Sequence, residues 1–171
     1  GQGEIEQQRE LSVKIPAGVD SGARLRLRGE GESGLNGGPS GDLFVDLYVE
    51  EDRTFGRDGQ NLLLSREISF VDAALGCELE VPTLAEEAHR LQIPRGTQSG
   101  DVLRASGLGL AHPNSARKGD LLVQIMVRIP SSLSKRQEEL LREFESAGDN
   151  ADGKHNSPES RGFFDKVKEL W

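Results

Sequence analysis

Aromatic residues are scarce in this chain: they make up 5% of its 171 residues, with one Trp, one Tyr and six Phe. Any core must therefore rest on Leu, Val and Ile, and a carbohydrate site lined by stacked rings has little to be built from. Cysteine is all but missing. The lone Cys77 excludes an internal disulfide and any multi-cysteine zinc site in this chain. Positive charge is outnumbered, 21 Lys and Arg against 29 Asp and Glu, for a net charge of −8. A general nucleic-acid binder needs the opposite surplus to neutralise phosphates. No apolar run approaches the roughly 20 residues that span a bilayer. The opening Gly1-Gln2-Gly3-Glu4 is polar and unlike a signal peptide. The expectation is a cytoplasmic, reducing setting without nucleic-acid or membrane partners.

Glycine, by contrast, is abundant at 21 residues and clusters between apolar stretches, which suggests many turns and a β-rich fold. The dominant pattern is an internal repeat. Ile15 to Val49 aligns without a gap on Ile93 to Val127, at an offset of 78 residues, with 15 of 35 positions identical. The shared positions include Pro16/Pro94, Gly18/Gly96, Gly22/Gly100, Gly29/Gly107 and Gly41-Asp42-Leu43/Gly119-Asp120-Leu121.

Each copy has the same local pattern. Leu11, Val13 and Ile15 alternate with Ser12 and Lys14, which predicts a strand that Pro16 stops, since proline cannot donate to a ladder. Leu25-Arg26-Leu27-Arg28 alternates as a second strand. In a longer third strand Leu43, Val45, Leu47 and Val49 face one way, and Phe44, Asp46, Tyr48 and Glu50 the other. The second copy matches with Leu121, Val123, Ile125, Val127 and Ile129. Alternation with period 2 means sheets with one buried face. The predicted fold is mainly β: two tandem small β-sandwich lobes followed by a C-terminal helix.

The second lobe has over 30 residues of material before its Ile-Pro. Asn61–Leu64 and Glu67–Phe70 read as strand, Val71–Leu75 as a helical turn ending at Gly76, and Cys77–Val81 as a further strand. The first lobe has only 14 residues there, so the chain is expected to be a piece of a longer protein that lacks the opening half of lobe I. The predicted division is residues 1–52 for the remainder of lobe I, 53–130 for lobe II, 131–147 for a helix, and 148–171 for a flexible linker with a short amphipathic terminal helix. Ser134 and Gln137 form a capping box, and Leu140, Leu141 and Phe144 make an apolar stripe on a helix from about Lys135 to Ser146. Gly148 to Ser160 is polar and predicted to be disordered. In the terminal helix Phe163, Phe164, Val167, Leu170 and Trp171 fall on one face and must dock somewhere.

Catalytic and ligand motifs read as ordinary structure. Gly29-x-Gly31-x-x-Gly34 has the spacing of a phosphate loop, but Leu35-Asn36-Gly37-Gly38-Pro39 follows where a helix should open. Ser132-x-x-Lys135 is explained by helix capping. His89, His112, His155 and Cys77 share no metal-ligand spacing. Arg24, Arg26 and Arg28 form a basic stripe, read first as a solvated face and second as a contact for an acidic tail. Glu30 and Glu32 are the nearest pair of carboxylates, and they sit in a glycine-rich loop with no supporting groups.

Read in order, VKIPAGVDSGARLRLRGEGE, GGPSGDLFVDLYV, FGRDGQNLL, ISFVDAALG, LEVPTL, IPRGTQSGDVLR and LSKRQEELLREF resemble the C-terminal region of bacterial-type DnaJ proteins, as does the closing FFDKVKELW. The resemblance covers roughly Glu10 to Trp171. It implies a co-chaperone module and not an enzyme: one that binds unfolded client polypeptides, delivers them to a 70-kDa heat-shock chaperone, and works as a homodimer. In such proteins an extended client segment adds to a strand beside an apolar groove of lobe I. The resemblance places client contacts on Leu11, Val13, Ile15, Leu43, Val45 and Leu47, and dimerisation on Leu133, Leu140, Leu141 and Phe144. The family's J domain and its cysteine-rich zinc-binding insert have no counterpart in this sequence, so no cofactor is expected in this chain. The rival expectation is a dimerising β-sandwich scaffold with no client binding of its own.

Overall fold

The structure is a computed structural model that describes residues 6–152, and the side chains of residues 6–148. It divides between Arg128 and Ile129 into two compact units. The first is built from strands. β1 (Arg24–Leu27) and β2 (Leu43–Asp46) form a two-stranded antiparallel sheet in lobe I. In lobe II, β3 (Gly56–Asp58), β4 (Asn61–Ser69), β7 (Val102–Ala105) and β8 (Leu121–Arg128) form one sheet in the order β3-β4-β8-β7. Between β4 and β7 come a one-and-a-half-turn helix, α1 (Phe70–Leu75), and a hairpin of β5 (Cys77–Val81) and β6 (His89–Ile93). The second unit holds α2 (Lys135–Asp152). A mainly β fold followed by a helix is the class that the alternation predicts.

The repeat is present in the hydrogen bonds as well as the residues. β1 pairs with β2 as β7 pairs with β8, Arg24 opposite Asp46 and Val102 opposite Gln124. The Gly22 amide donates to the Leu47 carbonyl (2.8 Å), and the Gly100 amide to that of Ile125 (2.7 Å). The Asp42 carboxylate accepts from the Gly29 amide and Asp120 from Gly107, each at 2.9 Å. Ser21 and Ser99 hydroxyls accept from the Val49 and Val127 amides in the same way.

The core lies in lobe II. Leu62, Leu64 and Ile68 from β4 pack with Leu121, Val123 and Ile125 from β8 and with Val81, Leu91 and Ile93 from the hairpin, all in one buried cluster. β4 runs parallel to β8, Leu62 opposite Leu121 through Ser69 opposite Arg128. Parallel pairing is not visible in the alternation of either strand, because both ladders alternate alike. β4 is also one strand where the sequence suggested two pieces. α1 starts where the Ser69 hydroxyl accepts from the Asp72 amide (3.0 Å), a standard N-cap.

The lobe I strand expected from Leu43 through Val49 ends at Asp46, and two further expectations fail. Leu11–Ile15 is not a strand. Its counterpart under the 78-residue offset is β6, which is held by β5; the counterpart of β5 would fall at position 3 and before, outside the described residues. Without a partner ladder, alternation alone does not make a strand. The second failure is at Gly148, where a disordered linker was predicted. The helix continues to Asp152, since adding residues to an existing helix costs far less than nucleating one. The remainder of the predicted linker, His155 and the terminal segment Phe163–Trp171 lie outside the described residues.

Candidate functional site

The lobe I hairpin shows two different faces. On one, Leu25, Leu27, Leu43, Val45 and Leu47 are all half-buried. On the other, Phe44 and Tyr48 stand exposed among charged side chains. The basic stripe there is largely paired: Arg24 Nε donates to Asp46 (2.6 Å) and Arg26 Nε to Asp42 (2.6 Å), while the Arg24 guanidinium lies 5.8 Å from the centre of the Phe44 ring. The Gly29 amide, and then Arg26, hold the Asp42 carboxyl below the usual carboxylate range. Arg24 does the same for Asp46. The stripe is thus a cross-strand charge ladder, with acidic partners already supplied by β2 and the loop before it.

The backbone of β2 has one occupied edge. Leu47 N–H and C=O both bond toward β1, at Ala23 and Gly22. By alternation, the backbone groups of Phe44 and Asp46 point to the other edge. In lobe II that edge of β8 is filled by β4; among the described residues no strand fills it on β2.

Of the residues assigned to client contact, Leu43, Val45 and Leu47 share one face of the lobe I sheet. Leu11 and Val13 are half-buried and Ile15 is 55% exposed. No backbone ladder joins Leu11–Ile15 to β2. Of those assigned to dimerisation, Leu140, Leu141 and Phe144 lie on α2 and Leu133 just before it. Leu140 and Phe144 are exposed and Leu133 and Leu141 half-buried. The capping box forms as read: the Gln137 amide donates to Ser134 Oγ (3.1 Å) and the Ser134 amide to Gln137 Oε1 (2.9 Å).

A lobe junction, invisible to the sequence reading, is built by Arg57 and Gln60. Arg57 donates from Nη1 to the Val19 carbonyl (2.7 Å) and from Nη2 to the Gly18 carbonyl (2.9 Å) and Gln60 Oε1 (3.0 Å). Gln60 Nε2 donates to the carbonyls of Gly18 and Ala111. One lobe I turn is thereby clamped between a lobe II hairpin and a lobe II loop. The signal was the tight turn in FGRDGQNLL, but nothing local says where its Arg and Gln reach. Beside this clamp a cleft of about 680 Å³ opens, walled by Val49, Phe55, Leu62, Leu84 and Leu110.

The remaining motifs are structural. The glycine loop after β1 folds into a three-residue 3-10 turn at Leu35–Gly37, with Asn36 at φ 54°. Cys77 packs against the lobe II core, where burial, and then Asp72, push its thiol pKa up. Among the described residues no group of three His, Cys, Asp or Glu could hold a metal ion, and no helix is long and apolar enough to cross a membrane.

Comparison with known proteins agrees with this architecture. Residues 2–130 match the family model described as "DnaJ C terminal domain", and residues 136–171 that described as "Chaperone protein DnaJ C-terminal region". The chain is 60% identical over 146 residues to Chaperone protein DnaJ of Maridesulfovibrio salexigens, which covers 85% of this chain and 39% of that protein. It is 51% identical over 165 residues to the one from Rhodospirillum centenum, covering 96% and 42%. With the one from Protochlamydia amoebophila the identity is 47% over 171 residues, 100% of this chain and 43% of the relative. The chain thus spans about two-fifths of the length of these relatives, and by its two matched regions it belongs to the DnaJ family, as part of the C-terminal region.

Proposed function

We propose that this chain is the polypeptide-binding part of a co-chaperone: it takes up extended segments of non-native proteins on lobe I, by strand addition and apolar contact. One observation carries the reading. Leu43, Val45 and Leu47 are half-buried beside a strand edge that no strand fills among the described residues, whereas their repeat counterparts Leu121, Val123 and Ile125 are wholly buried. Ladder bonds to such an edge are indifferent to side chains, and an apolar face adds preference without strict sequence demand, which suits a binder of many clients. The relatives' name, Chaperone protein DnaJ, supports it. Delivery of clients to a 70-kDa heat-shock chaperone and a cytoplasmic setting go with the same reading. So do a binding role without turnover and the absence of any cofactor in this chain.

The test is a titration of a fluorescently labelled apolar heptapeptide, followed by anisotropy. Saturable binding to the parent chain, abolished by Val45→Asp with circular dichroism retained, is the expected result. No binding by the parent leaves the scaffold role, and binding that survives Val45→Asp moves the site off this face.

We further propose that the chain dimerises through α2 and the residues before it. Exposed Leu140 and Phe144 on one helix stripe support this, as an apolar stripe facing water is costly unless a partner covers it. Leu140→Asp with Phe144→Asp should give a monomer by light scattering; a persisting dimer places the contact elsewhere.

A further inference from the structure

The two copies of the repeat anchor the same turn in different ways. In lobe II the turn after Ile-Pro, at Gly96 and Thr97, is held from within its own lobe. Both amides donate to the Ala73 carbonyl of α1, at 2.9 and 3.2 Å. The counterparts in lobe I, 78 residues earlier, are Gly18 and Val19, and no α-helix precedes them among the described residues. Their turn is held from the other lobe instead. Arg57 of β3 takes the carbonyls of Gly18 and Val19, and Gln60 takes those of Gly18 and Ala111. The Asp20 carboxylate stands 4.0 Å from the same guanidinium. A planar fork on two adjacent carbonyls fixes the orientation of a turn as well as its position.

What this turn carries is the end of the apolar face of lobe I. Asp20 accepts from the Ser21 amide (2.8 Å), and the Ser21 hydroxyl accepts from the Val49 amide (2.7 Å) and donates to the Val49 carbonyl (3.3 Å). Gly22 and Ala23 hold Leu47 on both sides of its peptide, at 2.8 Å each. A short bonded path therefore runs from Arg57 and Gln60 to Leu47 and Val49. The other end of the hairpin is tied inside lobe I, by Asp42 on the Gly29 amide and by the Gly41 carbonyl on the Gly31 amide.

Resting on the reading of lobe I as the binding lobe, we infer that Arg57 and Gln60 are positioning residues for it. From lobe II they hold the Leu47–Val49 end of the binding strand in place, as α1 holds the matching turn inside lobe II. They act through the turn and not on the bound segment. Their effect is to raise the fraction of molecules whose strand is set for pairing, and apparent affinity falls in proportion when that fraction drops. By linkage, a bound segment must tighten the junction by the same factor.

The experiment titrates the labelled apolar heptapeptide into the parent chain, into Arg57→Ala with Gln60→Ala, and into Arg57→Lys, which keeps the charge and loses the fork. Amide exchange is followed in each, free and at saturating peptide. The double variant is expected to bind about tenfold more weakly, with Arg57→Lys in between. Exchange should quicken at Gly22, Leu47 and Val49, and stay unchanged at Gly29, Gly31 and along the β4–β8 ladder. In the parent, peptide should also slow the amides of His112 and Gly119, in the lobe II loop that carries Ala111; in the double variant it should not. A role confined to holding lobe II together would not produce that transfer. Binding that Val45→Asp abolishes but both clamp variants leave unchanged would overturn the inference and leave the binding reading standing. Parental exchange at Leu47 and Val49 in the double variant would overturn it as well. So would loss of β4–β8 protection in Arg57→Lys, which would make the clamp part of lobe II's own core. No binding by the parent chain would sink the binding reading itself, and this inference with it, before any clamp variant is compared.

Discussion

Leu43, Val45 and Leu47 in lobe I and Leu121, Val123 and Ile125 in lobe II hold the same register in the same kind of hairpin, 78 residues apart. The second set is at 0% exposure, and the first is half-buried. The hairpins share their ladder, their capping aspartates and their serine supports, so the hairpin is not what buries the face. β4 and the β5–β6 hairpin do that in lobe II, and the described residues of lobe I have neither. A face that is core in one copy stays half-open in the other, where no described strand supplies a covering layer, and it is the face proposed above to bind.

Replacing one residue at matched positions tests this most strongly. Val123→Asp puts an unpaired charge into a fully closed core and should cost more than about 4 kcal/mol, enough to unfold lobe II. Val45→Asp should cost only about 1–2 kcal/mol, because its carboxylate reaches water. Urea melts of both variants check it; equal costs would mean that lobe I is as closed as lobe II.

A smaller contrast lies in two glycines with the same backbone. Gly18 (φ +83°) and Gly96 (φ +80°) both sit in the left-handed region, but a Cβ on Gly18 would meet the Ala111 carbonyl at 1.7 Å, and one on Gly96 would meet nothing within 4 Å. Gly96→Ala should cost about 1–2 kcal/mol, the conformational term alone. Gly18→Ala should cost that and also open the clamp, seen as faster amide exchange around Gly18 and Ala111. Equal exchange in both variants would show that the junction does not depend on this close approach.

The smallest effect is on pH. Asp42 and Asp46 tie lobe I's hairpin together and Asp52 the segment after it, all three held below the usual range. Their folded values are lower than their unfolded ones, so the stability they lend is complete above about pH 4 and is lost as pH falls through the lowered values. Acidification should therefore speed amide exchange at Gly29, Thr54 and Phe55 before the buried β4–β8 ladder responds. Simultaneous loss in both lobes would mean that the hairpin draws its stability from the lobe II core.

Local chemistry was legible wherever its cause is local. The turn glycines of the repeat, the Ser134 cap and the alternation of β1, β2 and β8 read directly from residue types. Of the residues named for client contact, Leu43, Val45 and Leu47 were placed on one face by alternation alone. Leu11, Val13 and Ile15 read the same way, yet form no strand, because a strand is a property of two segments. The clamp escaped for a related reason: Arg57 and Gln60 act on Gly18, Val19 and Ala111, tens of residues away.

By itself, then, the amino-acid sequence determined the repeat, the strand faces, the turns and the helix start, since each follows from the conformational preferences and alternation of neighbouring residues. Only the tertiary structure decided that β4 lies parallel to β8, that Val45 stays half-open while Val123 is closed, and that the lobes meet at Arg57. Those outcomes depend on which distant segment supplies the next ladder, the covering layer or the accepting carbonyl.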